Sequence, residues 1–218
     1  EILRAEVLKV PVISRAEMLA ELARLKYTTA VAGTHGKTTT TSMIATILDG
    51  AKMDPTFVVG GRLNTVGRNG RLGKGEFIVV EADESDGSFL MLSPTIAVIT
   101  NIEADHLDYF RDLDDIQDNF VSFVNKVPFY GAVIACSDEP AVKEILPRTK
   151  RRVITFGLNE EADVAVSDCQ LDSMGSSFVV RFNGLEQQSC VLKIPGMHNV
   201  LNAAGAFTAA LEMGVAPD

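Results

Sequence analysis

The chain has 218 residues, of which 46% are hydrophobic and three are cysteines, and its formal net charge is −9. Because no basic run offsets this charge, the composition argues against a general nucleic-acid-binding protein. No apolar run approaches the length of about 18 residues that a membrane span needs. Three scattered cysteines suit neither a disulfide framework nor a zinc site, so we expect free thiols in a reducing cytoplasm.

The length suffices for one α/β core with a small addition. The chain begins at Glu1, without a methionine and without the apolar segment of a secretory signal. It ends at Asp218, directly after a predicted helix. We therefore expect one domain of a longer protein.

Short apolar strands alternate with helical patterns along the first 160 residues. Ser14 and Glu17 form a capping pattern ahead of a helix, with Met18, Leu19, Leu22 and Leu25 on one face. Nearly continuous apolar runs predict strands buried on both faces, as in a parallel sheet covered by helices. These runs are Thr28–Ala32, Thr56–Val59, Phe77–Val80, Ile96–Ile99, Ala132–Ala135 and Arg152–Phe156. Further helices are predicted at about Thr38–Leu48, Leu113–Val127 and Val200–Met213.

Two stretches depart from this alternation. The polar, glycine-rich stretch Gly60–Gly75 predicts a mobile loop. Phe178–Phe182 and residues 186–192 flank an Asn-Gly pair, which is typical of a hairpin with a primed turn. With Val164–Val166, this hairpin predicts a small antiparallel sheet. The predicted fold is therefore α/β, with a mostly parallel sheet of the P-loop NTPase type, flanking helices and an appended antiparallel sheet.

The segment between the first parallel strand and its helix carries the motif Gly33-Thr-His-Gly-Lys-Thr-Thr39. Its two glycines let the backbone turn tightly and approach a ligand. Lys37 supplies a positive charge, Thr38 a hydroxyl suited to Mg²⁺, and the helix start free N–H groups. The strict Walker A pattern has glycine where this chain has Val31, and an ordinary glycine turn is the alternative. We predict a nucleotide-phosphate site, and we expect an exposed Lys37 whose removal costs the fold little.

An acidic string, Glu81-Ala-Asp-Glu-Ser-Asp86, directly follows another predicted strand. P-loop proteins place a magnesium-binding carboxylate at such a position. Glu81 comes first after the strand, so it is the favoured ligand. The alternative is a solvated acidic turn.

His106 follows a third predicted strand, within the segment Thr100–Asp108. Because ligands of open α/β sheets bind at the carboxyl ends of the strands, His106 is expected at the same sheet edge as Lys37 and Glu81. Its imidazole could coordinate a metal or orient a substrate, although a lone histidine is more often structural or solvated. Two magnesium ions flanking one phosphoryl group would suit this arrangement. Thr38 and Glu81 would then hold one ion, and His106 the second ion or the substrate.

The last motif, Gly196-Met-His-Asn-Val-Leu-Asn202, lies at the start of a predicted helix. Asn199 could simply cap this helix. Asn199 and Asn202 are spaced i and i+3 and share a helix face, which would suit recognition of an adenine or ribose edge. The sequence leaves these two interpretations open.

In this order, the four motifs resemble those of the Mur ligase family, the ATP-dependent amide-forming ligases of peptidoglycan synthesis. The histidine at position 35 and the acidic string are most similar to the members that join L-alanine to UDP-N-acetylmuramate. Members that recycle a murein tripeptide share this histidine and remain an alternative. A P-loop module that binds nucleotide without ligase activity is a second alternative.

The resemblance implies a central ATPase domain at residues 26–218, and a tail or linker from an N-terminal UDP-sugar domain at residues 1–25. It also implies a missing C-terminal domain, which would bring the amino acid. The implied cofactors are ATP and Mg²⁺, and the implied catalytic residues are Lys37, Glu81 and His106, with Thr38, Glu81 and His106 at the metal. The implied nucleotide-binding residues are Gly33, Thr34, His35, Gly36, Lys37, Thr38, Thr39, His198, Asn199 and Asn202.

Overall fold

A single ten-stranded sheet with helices on both faces forms the fold, in a computed structural model that describes residues 1–63, 68–182, 184 and 186–217. The strand order across the sheet is β10-β9-β8-β7-β6-β5-β1-β4-β2-β3. The strands are β1 (Tyr27–Ala32), β2 (Thr56–Leu63), β3 (Arg68–Arg71), β4 (Phe77–Glu81), β5 (Ile96–Ile99), β6 (Ala132–Cys136), β7 (Val153–Gly157), β8 (Val164–Leu171), β9 (Ser176–Phe182) and β10 (Glu186–Leu192).

Six α-helices lie in the described part of the chain, and none of them has the length and apolarity to cross a membrane. Two of these helices begin at a side-chain cap, of which the sequence predicted the one at Ser14. The Ser14 hydroxyl accepts the N–H of Glu17 at 3.1 Å, and the Asp112 carboxylate accepts the N–H of Asp115 at 2.8 Å. The helices are α1 (Ile2–Val7), α2 (Arg15–Ala23), α3 (Lys37–Gly50), α4 (Leu113–Val124), α5 (Pro140–Ile145) and α6 (Met197–Glu212).

The strand order places a topological switch point at the centre of the sheet. β1 lies parallel to β4 on one side and to β5 on the other. The segments that follow these three strands therefore meet at one sheet edge, on either side of the end of β1. In open α/β sheets a crevice at such a point binds ligands.

Alternating side chains of the central strands build one core on each face of the sheet. On one face, Ala30 and Val80 pack with Phe120 and Phe123 of α4. On the other face, Val31 and Val79 pack with Ile44 and Leu48 of α3, and α6 extends this core. Burial on both faces explains why these strands read as continuous apolar runs.

Two sequence predictions need correction. Part of the predicted loop Gly60–Gly75 belongs to β2 and β3, which pair antiparallel, while residues 64–67 lie outside the described part. The buried residues of α2 are Ala20 and Ala23, whereas Met18 and Leu22 stay about half exposed. The predicted antiparallel addition is confirmed, because β8, β9 and β10 pair antiparallel and join the main sheet through β7.

Candidate nucleotide-phosphate site

Two glycines shape the turn between β1 and α3, which we call the phosphate loop (Gly33–Gly36). Gly33 and Gly36 have φ values of 139° and 83°, which residues other than glycine rarely adopt. A Cβ atom at Gly33 would lie 2.1 Å from the Thr100 hydroxyl, and one at Gly36 would lie 2.3 Å from the Asn202 amide oxygen. Both positions therefore require glycine for backbone conformation and for space.

The segment after β5, Thr100–Glu103, holds the phosphate loop from one side, and we call it the support segment. The N–H of His35 donates to the Asn101 amide oxygen at 2.7 Å, and the N–H of Thr34 donates to the Asn101 carbonyl at 3.2 Å. The Thr100 hydroxyl donates to the His35 carbonyl at 2.6 Å, and the Glu103 N–H donates to the Thr34 hydroxyl at 2.9 Å. These bonds fix the backbone of the loop.

The first turn of α3 directs unpaired N–H groups toward the crevice. Within the described part of the chain, the N–H groups of Lys37, Thr38 and Thr39 have no hydrogen-bond partner, and the N-terminal cap residue Gly36 has no side chain to supply one. Such N–H groups, with the positive end of the helix dipole, form a favourable site for an anion.

The Lys37 side chain is enclosed, which makes the prediction of an exposed loop lysine wrong. Its ammonium donates to the carbonyls of Gly33 at 2.7 Å and Thr34 at 3.2 Å. It also pairs with Glu84 at 2.9 Å, and the two side chains are only 13% and 3% exposed. The lysine therefore belongs to a largely buried ion pair at the base of the phosphate loop.

Thr38 and Glu81, the two predicted magnesium ligands, contact each other, and their binding to a metal ion stays a prediction. The Thr38 hydroxyl lies 2.9 Å from each oxygen of the Glu81 carboxylate, which also accepts the N–H of Gly60 at 2.7 Å. Among the described residues, no group of three or more His, Cys, Asp or Glu side chains is gathered around one point. Mg²⁺ commonly keeps several waters and binds substrate phosphates, so a hydroxyl and one carboxylate fit its donor preference.

Members of the acidic string have different environments. Asp83 and Asp86 are exposed and accept the N–H groups of Ser85 and Ser88, as expected for a solvated turn. Glu84 is buried, and this burial raises the pKa of its carboxyl, an effect that the hydrogen bond from Lys37 opposes. The sequence analysis did not select Glu84, because nothing in a run of four carboxylates indicates which one turns inward.

His106 lies beyond the support segment, in a tight turn where its φ is 53°. Its side chain is 36% exposed, and Nε2 lies 3.9 Å from the Asp105 carboxylate. The turn leads to Tyr109, which lines a cavity of about 570 Å³ together with Glu81, Asp83 and Arg15. In the described part of the chain, His106 forms no hydrogen bond or ion pair with Lys37, Thr38 or Glu81, so its role at a metal or substrate stays a prediction.

The start of α6 approaches the phosphate loop from the other side, through Asn202. Its amide oxygen accepts the Thr40 hydroxyl at 3.2 Å, and the residue is 7% exposed. Asn199 donates to the Pro195 carbonyl at 2.7 Å and is partly exposed, while His198 is exposed. Asn202 thus packs against the phosphate loop. An adenine or ribose contact remains a prediction for Asn202, Asn199 and His198.

Comparison with known proteins identifies the family. The sequence matches the Mur ligase middle domain over residues 31–210. The chain belongs to the Mur ligase family. A UDP-N-acetylmuramate–L-alanine ligase from Geobacter sp. strain M21 is 54% identical over 215 residues, which are 99% of this chain and 47% of that protein. The chain thus spans about half the length of the curated Mur ligases it matches.

Solved Mur ligase structures share the fold. The UDP-N-acetylmuramate:L-alanyl-γ-D-glutamyl-meso-diaminopimelate ligase from Neisseria meningitides matches with a TM-score of 0.86 and 31% identity, over 98% of this chain and 70% of that one. The UDP-N-acetylmuramate–alanine ligase from Thermotoga maritima matches with a TM-score of 0.81 and 29% identity, over 98% and 48%.

Proposed function

We propose that this chain is the nucleotide-binding middle domain of an ATP-dependent ligase that joins L-alanine to UDP-N-acetylmuramate. The observation that carries the proposal is the meeting of three groups at the switch point of the sheet: the free N–H groups of α3, the Lys37 ammonium, and the Thr38–Glu81 pair. This combination suits a triphosphate with Mg²⁺. The 54% identity to the Geobacter alanine ligase supports the choice of substrates.

The proposed reaction has two steps. The substrate carboxylate attacks the γ-phosphorus of ATP, so that an acyl phosphate forms and ADP leaves. The amine of L-alanine then attacks the acyl carbon, an amide bond forms as the nitrogen loses a proton to solvent, and inorganic phosphate leaves with the electron pair of the broken C–O bond. No nucleophilic side chain of the protein is needed, because the substrate carboxylate is the nucleophile in the first step.

Each element of the phosphate site would have a defined part in this reaction. Lys37 and the N–H groups of α3 would stabilise the charge on the transferring phosphoryl group. Thr38 and Glu81 would hold Mg²⁺, which when bound neutralises charge on the phosphate oxygens. His106 would face a second ion or the substrate carboxylate. His35, Thr39, His198, Asn199 and Asn202 would complete the nucleotide contacts.

The relatives are about twice as long as this chain. We propose that the remaining length in the full protein supplies the docking surfaces for the UDP-sugar and the amino acid. The three cysteines are free thiols, which supports our proposal that the protein works in the reducing cytoplasm.

An assay of phosphate release by the full-length protein tests the proposal. With ATP, Mg²⁺ and UDP-N-acetylmuramate, we expect release that depends on added L-alanine. Release with L-alanyl-γ-D-glutamyl-meso-diaminopimelate in place of alanine would instead indicate the tripeptide ligase activity for which the Neisseria relative is named, and its 31% identity makes this the second candidate. Nucleotide binding without release in either mixture would indicate a binding module and contradict the ligase proposal.

A further inference from the structure

The carboxylate of Glu84 is buried beneath the phosphate loop, and one of its oxygens lacks a partner. Oε1 accepts the Lys37 ammonium at 2.9 Å, while Oε2 is buried without a hydrogen bond from any described residue. A buried, half-satisfied carboxylate is unfavourable for folding, and it is uncommon in native structures. The position therefore calls for a functional explanation beyond packing.

All three donors of the Lys37 ammonium have acceptors within the protein. A lysine ammonium carries three N–H donors, and here the acceptors are the carbonyls of Gly33 and Thr34 and the carboxylate of Glu84. To donate to a phosphate oxygen, Lys37 must release one of these three acceptors.

The Thr34 carbonyl is the acceptor that Lys37 can release at the lowest cost. Its contact is the longest of the three, at 3.2 Å, and its acceptor is a neutral carbonyl, whereas Glu84 accepts through a carboxylate. Release of Glu84 would instead leave both oxygens of a buried carboxylate without a partner, which is strongly unfavourable. Glu84 therefore stays paired with Lys37 when a phosphate binds.

We propose that Glu84 is a positioning residue that anchors the Lys37 ammonium while Lys37 exchanges the Thr34 carbonyl for a phosphate oxygen of the bound nucleoside triphosphate. This inference rests on the proposed function of the phosphate loop. The Glu84 carboxylate would favour turnover and disfavour nucleotide affinity. The anchor fixes the ammonium where charge develops during phosphoryl transfer, and its negative charge also weakens the attraction between the site and the phosphates.

Three variants of the full-length protein test this proposal. Glu84→Ala removes both the anchor and the charge, whereas Glu84→Gln removes the charge and keeps an acceptor for Lys37. Glu76→Gln is the matched control, because Glu76 is exposed and directly precedes β4, at the opposite end of the strand that ends in Glu81. The measurements are the Kd of a non-hydrolysable ATP analogue, the kcat of alanine-dependent phosphate release, and thermal unfolding.

We expect affinity and turnover to separate. Glu84→Ala should lower kcat on the order of 10²-fold, a loss that misplacement by about 1 Å can cause. Both Glu84 variants should bind the analogue more tightly than the wild type, on the order of threefold, because a negative charge near the phosphates is gone. Glu84→Gln should recover most of the kcat, and Glu76→Gln should match the wild type in both.

Two results would overturn the inference. One is a wild-type kcat in both Glu84 variants, and the other is an equal loss of affinity and turnover in line with lower thermal stability, as packing alone would give. If Glu84→Ala does not fold, Glu84→Gln decides: tighter analogue binding supports the anchor, and unchanged binding contradicts it. A wild-type protein that fails to bind the analogue would refute the proposed function itself, and this inference with it.

Discussion

Because Lys37 is paired with Glu84, it has two roles, one in the phosphate site and one in the stability of the fold. Lys37→Ala should lower turnover roughly 10²-fold or more, because a charge that stabilises phosphoryl transfer is lost. It should also lower the free energy of unfolding, since removing one partner of a buried ion pair costs about 3–5 kcal/mol. Turnover and chemical denaturation of the variant, with Lys74→Ala as an exposed lysine control, measure both effects.

The pH dependence of this stability loss has a definite sign. The pKa of Glu84 is raised in the folded protein, so the folded state binds the proton more tightly than the unfolded chain. The Glu84 carboxyl therefore increases the free energy of unfolding at low pH. This increase is lost as the pH rises through the pKa of Glu84 in the folded state. Without Lys37 the effect should grow, so the deficit of Lys37→Ala should be larger at pH 8 than at pH 5. An equal deficit at both values would contradict this account.

The cysteines offer a second prediction for single residues. Burial raises the pKa of the Cys136 thiol to about 11, so little thiolate forms near neutral pH. A thiol reagent at pH 8 should modify Cys169, which is partly exposed, before Cys136. Mass spectrometry of the native protein over time measures the order, and complete early labelling of Cys136 would contradict the prediction.

The support segment provides a prediction about the phosphate loop as an element. Asn101→Ala removes two hydrogen bonds to the backbone of His35, at 2.7 and 3.0 Å. At about 1 kcal/mol each, their loss should weaken nucleotide binding about tenfold or more, because the loop must then be ordered when the ligand binds. Calorimetric titration with an ATP analogue measures this change in the full-length protein.

Asn125→Ala is the matched control for this experiment. The Asn125 amide also forms two hydrogen bonds with backbone groups, those of Arg148 and Lys150, which precede β7 at the opposite sheet edge. A general effect of losing such bonds would appear in both variants. If the two variants bind the analogue equally well, the support segment does not preorganise the loop.

Periodicity predicted the central elements because burial on two faces leaves a strong pattern. The bounds predicted for β5, Ile96–Ile99, agree with the structure. β1 begins one residue before its predicted start, and α4 ends three residues before its predicted end. β3 was missed because its sequence, Arg-Asn-Gly-Arg, has no apolar side chain and is held by backbone pairing with β2. The buried face of α2 was misjudged because its fully buried residues are the small Ala20 and Ala23, while Leu19 packs against the core only partly buried.

The sequence could predict the site residues that lie at or directly after the ends of parallel strands. Thr38 and Glu81 meet because they follow β1 and end β4, two neighbouring parallel strands. The enclosure of Lys37 and the position of Asn202 beneath the loop depend on tertiary contacts that no local pattern records.

For the whole molecule, we expect this chain to fold alone but not to form the amide bond. Both cores lie between residues 20 and 213, so the sheet and its helices can form one cooperative unit. Ligation needs three reactants in near-attack geometry, and such positioning can supply roughly 7–11 kcal/mol of the barrier. Circular dichroism should show a cooperative thermal transition, and a phosphate assay with all substrates should show no ligation. Turnover near that of the full-length protein would refute this expectation.

The central position of β1 also has a consequence for the order of folding. His35 and its partner Asn101 are 66 residues apart in the chain, and Thr40 and Asn202 are 162 residues apart. Contacts between such distant residues close large loops, and they are slow to form. We therefore expect the phosphate loop to gain its fixed shape only after these closures, late in folding. A bound nucleotide should therefore slow the unfolding of the finished domain and leave its refolding rate nearly unchanged.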